Sequence, residues 1–255
     1  MIEPSWDTAI PDVEPVRLGF IGAGAMASFA VYPALHFAPI RLVAVCDLDE
    51  GKAKQAAAKF GAAGVYTDYR GMFERQDLEA VAVQTHPGPR QPIVLDALAA
   101  GYHVFVPKPP ATSLDDSVVL SQAATKADRF LMVNFESRFS YGVRTTRKIL
   151  ATPGFGKLTQ LAGSFCSGKY TGECNAHRGA PYEDHLQACL LDFAPHYLDL
   201  SRYLAGEVRQ MAVLRCSHQG QAHRGERNSR HPRALPQLRP RRAGHSVRLP
   251  GAGSW

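Results

Sequence analysis

No apolar run in this chain approaches the roughly 18 residues that a membrane-spanning helix requires. The first fifteen residues, MIEPSWDTAIPDVEP, are acidic and proline-rich, and lack the basic start and apolar centre of a secretory signal. Cysteine is scarce. Five residues (46, 166, 174, 189 and 216) are too few and too scattered to form a disulfide framework in 255 residues, so a reducing cytoplasm is the expected compartment. Cys174 and His177 have a CxxH spacing, but no second pair stands nearby to complete a zinc site, and no metal is expected. The hydrophobic content of 45% is enough for a real core, and the length suits one large domain or two ordinary ones.

The formal charge of +6 is unevenly placed. Residues 215–255 hold nine Arg and one Glu, whereas the preceding 214 residues hold 20 basic and 22 acidic side chains. The body is therefore slightly acidic, and its charge gives no argument for nucleic-acid binding. The last 41 residues lack Ile, Phe, Tyr, Lys and Asp, and they contain four prolines without helical or strand periodicity. Such a segment is expected to be disordered, because little apolar surface is present to offset the entropy of ordering. It reads either as a basic tail or as an out-of-frame translation of GC-rich coding sequence; the abrupt change in mid-strand favours the latter.

Against these absences stands one informative run, Val16-Arg-Leu-Gly-Phe-Ile-Gly22-Ala-Gly24-Ala-Met-Ala27. A short apolar strand enters a glycine turn and then a helical pattern extending to about His36, the layout of a dinucleotide-binding βαβ unit. Gly22 permits the tight turn, and Gly24 lets a pyrophosphate approach the backbone at a helix N-terminus, beside Ala25 and Met26. Ala27 stands where GxGxxG has its third glycine and helix and strand pack closely. A second strand, Ile40–Cys46, ends at Asp47, about twenty residues beyond the glycines. A carboxylate there accepts hydrogen bonds from an adenosine ribose and repels the extra phosphate of NADP, which favours NAD as cofactor. The structural alternative is that Asp47 caps the next helix, for which Asp49 is an equal candidate.

Strand and helix signals then alternate. Helices are expected at Glu50–Phe60, Tyr69–Arg75, Pro92–Ala100 and Leu114–Ala127, with strands near Val65–Tyr66, Glu79–Gln84, Tyr102–Val106 and Arg129–Val133. This predicts an α/β class with a doubly wound parallel Rossmann sheet over residues 1–135, with ligands at the carboxyl ends of the strands. An incomplete α+β domain is expected over 136–214, with a linking helix at Tyr141–Ala151, a strand at Lys157–Phe165, a helix from Leu191 to Leu204 and a strand beginning at Arg209. The disordered tail covers 215–255.

Two places could carry chemistry. Lys108 follows the fifth strand in Val106-Pro-Lys-Pro-Pro110, where a lysine can hold a substrate oxygen and stabilise developing negative charge. It reads equally as a surface lysine in a stiff loop. Asp192 and His196 lie four apart, on one face if their segment is helical. Histidine accepts a proton near neutral pH, and a neighbouring carboxylate orients it. Taken alone, such a pair is more often structural.

Together these segments resemble the glucose–fructose oxidoreductase/inositol dehydrogenase (Gfo/Idh/MocA) family. GFIGAGAMA at 19–27, CDLD at 46–49, AGYHVFVPKPPA at 100–111 and LLDFAPHYLDLSRYLAG at 190–206 match in order. The third is similar to the family's AGKHVLVEKPLA signature and the last to its DxGxHxxDLxRYLxG helix. The resemblance runs from about 16 to 214. It implies a Rossmann domain followed by a large open antiparallel sheet, and hydride transfer between a nicotinamide and a carbinol carbon of a sugar, cyclitol or related polyol. It also implies that Lys108, Asp192 and His196 are catalytic, that Thr85 belongs to the cofactor site, and that complete members form homo-oligomers through the second sheet. Three departures stand out: Pro107 replaces the motif glutamate, His86-Pro87 replace Pro-Asn after Thr85, and Arg90 replaces a histidine. Family members continue well beyond this length, so most of the second sheet is expected to be missing. Two other readings therefore remain at this point: a non-enzymatic dinucleotide-binding sensor and an inactive fragment.

Overall fold

The computed structural model describes residues 12–164 and 193–210. The chain divides into two units, Met1–Ala205 and Gly206–Trp255, and the architecture below is that of the first. Six strands form one sheet: β1 (Val16–Ile21), β2 (Ile40–Cys46), β3 (Gly64–Tyr66), β4 (Ala80–Val83), β5 (His103–Pro107) and β6 (Leu131–Asn134). Their order is β3-β2-β1-β4-β5-β6, and every neighbouring pair is parallel. The order reverses at β1, which places the crevice of a doubly wound sheet beyond the carboxyl ends of β1 and β4.

Helices α2 (Glu50–Phe60), α3 (Tyr69–Arg75), α4 (Pro87–Ala99) and α5 (Leu114–Ala127) cover the sheet. Their limits follow from local chemistry. Asp49 accepts from the Lys52 amide and Asp68 from those of Arg70 and Gly71, while Ser113 accepts from that of Asp116. These side chains satisfy first-turn donors that have no partner within the helix. Gly61 ends α2 in the left-handed region at φ +82°. Small side chains on α2 (Ala53, Ala56 and Ala57, all buried) let it lie close against β2 and β3. On the opposite face, Ile93, Val94, Ala97 and Leu98 of α4 and Leu120 and Ala124 of α5 join Val81 and Val83 of β4.

Helix α1, expected from Met26 to about His36, is composite. A π-helical turn (Ala27–Val31) passes into one α-turn (Tyr32–Ala34) and a 3₁₀ turn (Leu35–Phe37). Pro33 has no N–H for the Phe29 carbonyl and its ring would crowd that carbonyl, so a regular i→i+4 ladder cannot continue through it. The Tyr32 amide bonds instead to the Ala27 carbonyl.

Helix α4 begins five residues before the expected Pro92. Pro87 occupies the first helical position and Pro89 the first turn, where no N–H is needed, and Pro92 is carried inside the helix. Beyond β6, a 3₁₀ turn (Glu136–Phe139) precedes α6 (Tyr141–Leu150). Residues 157–164 of the expected Lys157–Phe165 strand carry no ladder among the described residues, which corrects that expectation over this range. Helix α7 (Ala194–Ala205) begins two residues after Asp192, with Pro195 in its first turn as expected. Asp192, Phe165, Leu214, Cys174 and His177 lie outside the described residues, as does the expected disordered tail. Arg209 and Gln210 are described without strand structure.

Cys46, at the end of β2, is buried, and burial together with the nearby Asp68 and Asp47 carboxylates pushes its thiol from an ordinary 9.0 up to about 12. A raised folded-state value stabilises the fold fully below pH 9, and the contribution is lost as pH rises toward 12. At pH 8 the thiol is therefore protonated and shielded. Iodoacetamide labelling followed by peptide mass spectrometry is expected to leave Cys46 unmodified until the protein unfolds. Rapid labelling at pH 8 in the folded chain would contradict this placement.

Candidate active site at the carboxyl edge of the sheet

The glycine turn is fixed from three sides. The Gly22 amide donates to the Cys46 carbonyl at 2.8 Å, and the Gln84 amide donates to the Ile21 carbonyl at 2.7 Å, joining the ends of β2, β1 and β4. Gly22 has φ +103°, and a Cβ there would lie 2.6 Å from the Gln84 carbonyl oxygen, so no side chain fits. Tyr32 supports the turn from below. Its ring stacks between Phe20 and Phe60, with centroids 3.9 and 4.9 Å away, and its hydroxyl donates to the Gly22 carbonyl at 3.4 Å. Burial, with Asp47 and Cys46 nearby, raises the Tyr32 hydroxyl well above its ordinary value and keeps it a donor. Sequence reading passes over Tyr32, because an aromatic residue in an apolar helix looks like any other core position.

Gly24 has the opposite surroundings: no heavy atom lies within 4 Å of where its Cβ would stand. Gly24, Ala25 and Met26 are exposed, while Ala27 is buried against the sheet, as expected for the third glycine position. The turn thus presents open backbone at a helix N-terminus, which a pyrophosphate requires. Beside it, Asp47 Oδ2 accepts from the Ala23 amide at 2.6 Å and Oδ1 from the Asp49 amide at 2.9 Å. Asp49, not Asp47, caps α2. The two readings of Asp47 are thereby separated: its carboxylate faces the glycine turn. Thr85 follows β4 at the same edge, and its hydroxyl donates to the His86 carbonyl at 3.3 Å. These residues fit a dinucleotide.

Lys108 follows β5, with a cis peptide to Pro109. Its Nζ lies 5.9 Å from the centre of the Phe193 ring, just ahead of α7. The His196 amide donates to the Phe193 carbonyl at 3.1 Å, so Lys108 and the helix carrying His196 both border Phe193. The His196 ring is mostly buried. Its Nδ1, which makes no hydrogen bond among the described residues, lies 3.6 Å from Glu136 Oε1. Sequence spacing pairs His196 with Asp192 and misses Glu136, which is 60 positions away along the chain.

A second tie holds α7 to the same 3₁₀ turn. Asp199, buried on α7, receives both arms of the Arg138 guanidinium, one at 2.9 Å (Nε to Oδ2) and the other from Nη2 to Oδ1. The carboxylate raises the Arg138 value further, so the guanidinium stays charged. Arg138 also lies over the Tyr203 ring, 5.2 Å from its centre. Arg138 therefore anchors α7 to residues 136–139 one turn beyond His196.

The oxidoreductase family model for an NAD-binding Rossmann fold, Gfo/Idh/MocA, matches residues 16–135. Those residues match the model of that family's Rossmann domain, and their six parallel strands form a Rossmann fold. Among known proteins, the chain is similar to levoglucosan dehydrogenase of Pseudarthrobacter phenanthrenivorans, at 26% identity over 77% of this chain and 52% of that protein. It is likewise similar to inositol 2-dehydrogenase of Burkholderia multivorans, at 27% identity over 75% of this chain and 55% of the relative. Among solved structures, an NAD-binding oxidoreductase from Klebsiella pneumoniae superimposes with a TM-score of 0.65 at 25% identity, over 78% of this chain and 55% of that one. The chain thus spans about half the length of the curated relatives it matches. Among the described residues, no helix is long and apolar enough to cross a membrane.

Proposed function

We propose that this chain binds NAD in preference to NADP and serves hydride transfer between the nicotinamide and a carbinol carbon of a sugar, cyclitol or related polyol. The observation that carries the reading is the convergence on one sheet edge of an open glycine turn, the Asp47 carboxylate facing it, and Lys108 beside the helix bearing His196. The names of the relatives, dehydrogenases of levoglucosan and inositol, support the substrate class.

Gly24, Ala25 and Met26 would take the pyrophosphate, Asp47 the adenosine ribose, and Thr85 the far side of the crevice. The bound nicotinamide supplies a hydride acceptor or donor. The remaining chemistry belongs to the chain. Lys108 holds the substrate oxygen and offsets the negative charge that grows on it. His196 accepts the hydroxyl proton. With Nδ1 turned to Glu136, Nε2 is the nitrogen left for that proton, and the Glu136 carboxylate balances the charge the ring gains. Asp192, on the approach to the same helix, is the second carboxylate assigned to support it. We place this chemistry in the cytoplasm and assign the homo-oligomeric assembly to the complete second sheet.

Asp47 gives the test. In an Asp47→Ala chain, NADH affinity is expected to fall by about ten-fold and the preference over NADPH to vanish, since the ribose acceptor and the phosphate-repelling charge go together. Fluorescence titration with both reduced cofactors reads this. An unchanged preference would remove Asp47 from cofactor selection.

A further inference from the structure

Two of the three departures noted in the sequence, Pro107 and Arg90, are in contact. Arg90, on α4, is 2% exposed, and its Nη1 donates to the Pro107 carbonyl at 3.1 Å. The same nitrogen donates to the Pro109 carbonyl, and Nη2 donates to the Thr85 carbonyl. The two carbonyls held by Nη1 flank Lys108 on either side, and the third lies just beyond β4.

The turn needs such a donor. Residues 107–110 read Pro-Lys-Pro-Pro, so Lys108 has the one amide N–H among the four. A segment with four carbonyls and one N–H cannot satisfy itself by internal hydrogen bonds, and buried carbonyls left unpaired are costly. The planar guanidinium, with five donors in a fixed fork, reaches three carbonyls from one buried position. A lysine ammonium, a single point charge, does not match that geometry.

We propose that Arg90 is the positioning residue of the Lys108 turn. It locks the backbone on both sides of Lys108 to the end of β4 and so fixes the height at which the lysine stands over the crevice. Arg90 itself touches no reacting atom. The consequence for turnover rests on the function proposed above; the clamp does not.

Arg90→Lys keeps the charge and loses the fork, while Arg90→Gln loses the charge and keeps a two-donor amide. Hydrogen exchange with mass spectrometry on the 255-residue chain reads the clamp without any need for activity. In both variants, exchange at 84–86 and 104–108 is expected to quicken by about ten-fold, with β1, α2 and α5 unchanged. Unchanged exchange at those segments, or uniform quickening across the whole sheet, would overturn the proposal. A wild-type rate in Arg90→Lys with quickening confined to Arg90→Gln would also overturn it, since charge and not the fork would then matter.

Turnover adds a second arm. Arg90→Lys is expected to lower kcat by about ten-fold, and to lower it by less than about two-fold in a Lys108→Ala background, because the loss runs through the placement of Lys108. Equal effects in the two backgrounds would mean that Arg90 does not act through Lys108. A wild-type chain with no turnover would count against the proposed function and leave the exchange result to decide the clamp.

Discussion

Replacing Gly22 with alanine is expected to weaken NADH binding by about 100-fold or more and to lower the melting temperature measurably. Two costs add. The φ of +103° is a region that a residue with a Cβ enters at a cost of about 1–2 kcal/mol, and the new Cβ would sit 2.6 Å from the Gln84 carbonyl oxygen. That oxygen is backbone at the end of β4 and cannot swing aside as a side chain would. Relief requires β1 and β4 to part at the crevice, which also moves Thr85. Gly24→Ala is the matched control: with nothing within 4 Å, its Cβ enters open space. Its melting temperature should therefore stay at the wild-type value, while NADH affinity drops by about ten-fold because the methyl occupies the line of approach to the backbone. Differential scanning fluorimetry beside a cofactor titration distinguishes the two glycines. Equal behaviour would mean that the turn is structural and not a cradle.

The second large effect belongs to His196. His196→Ala is expected to reduce turnover of cyclitols or sugars by about 10²–10⁴, the usual worth of a positioned general base, with NADH affinity within about two-fold of wild type. Glu136→Gln should fall between: the ring keeps its place on α7 through the Arg138–Asp199 pair but loses the carboxylate that balances its proton. Steady-state kinetics with a parallel NADH titration measure both. Full activity in His196→Ala would take the residue out of the mechanism, and a loss confined to NADH affinity would reassign it to cofactor binding.

Much of this was legible because it is local. The limits of α2, α3 and α5 are set within four residues by Asp49, Asp68 and Ser113, and Gly61 closes α2. The glycine turn and Asp47 were legible for the same reason, since a strand, a turn and a helix start are adjacent in the chain. What sequence left open is what distant residues decide. Whether Asp47 or Asp49 capped α2 could not be told from two acidic residues two apart; the Ala23 amide settles it from 24 positions away. The irregular path of α1 depends on Pro33 and on the stacking of Tyr32 between strand β1 and helix α2. The helix expected from Pro92 begins at Pro87, because Pro87 and Pro89 sit in its first turn, where their missing N–H costs nothing. The anchors of the site were the least visible. Glu136 meets His196 across 60 positions, Arg138 meets Asp199 across 61, and Arg90 meets Pro107 and Pro109 across 17 and 19. None has a sequence signature, because each is defined by the fold that brings its partner near. Arg90 and Pro107 were visible singly as departures from a pattern, and the structure shows that they touch.

The proposed function stands on NAD binding at the open turn from Gly22 to Ala27, with Asp47 beside it. The most direct measurement is calorimetric titration of the 255-residue chain with NADH and NADPH, beside the Gly22→Ala and Asp47→Ala variants. Saturable one-to-one NADH binding is expected, lost in Gly22→Ala and without preference over NADPH in Asp47→Ala. A folded wild-type chain that binds neither cofactor, or NADH binding that survives Gly22→Ala unchanged, would contradict it.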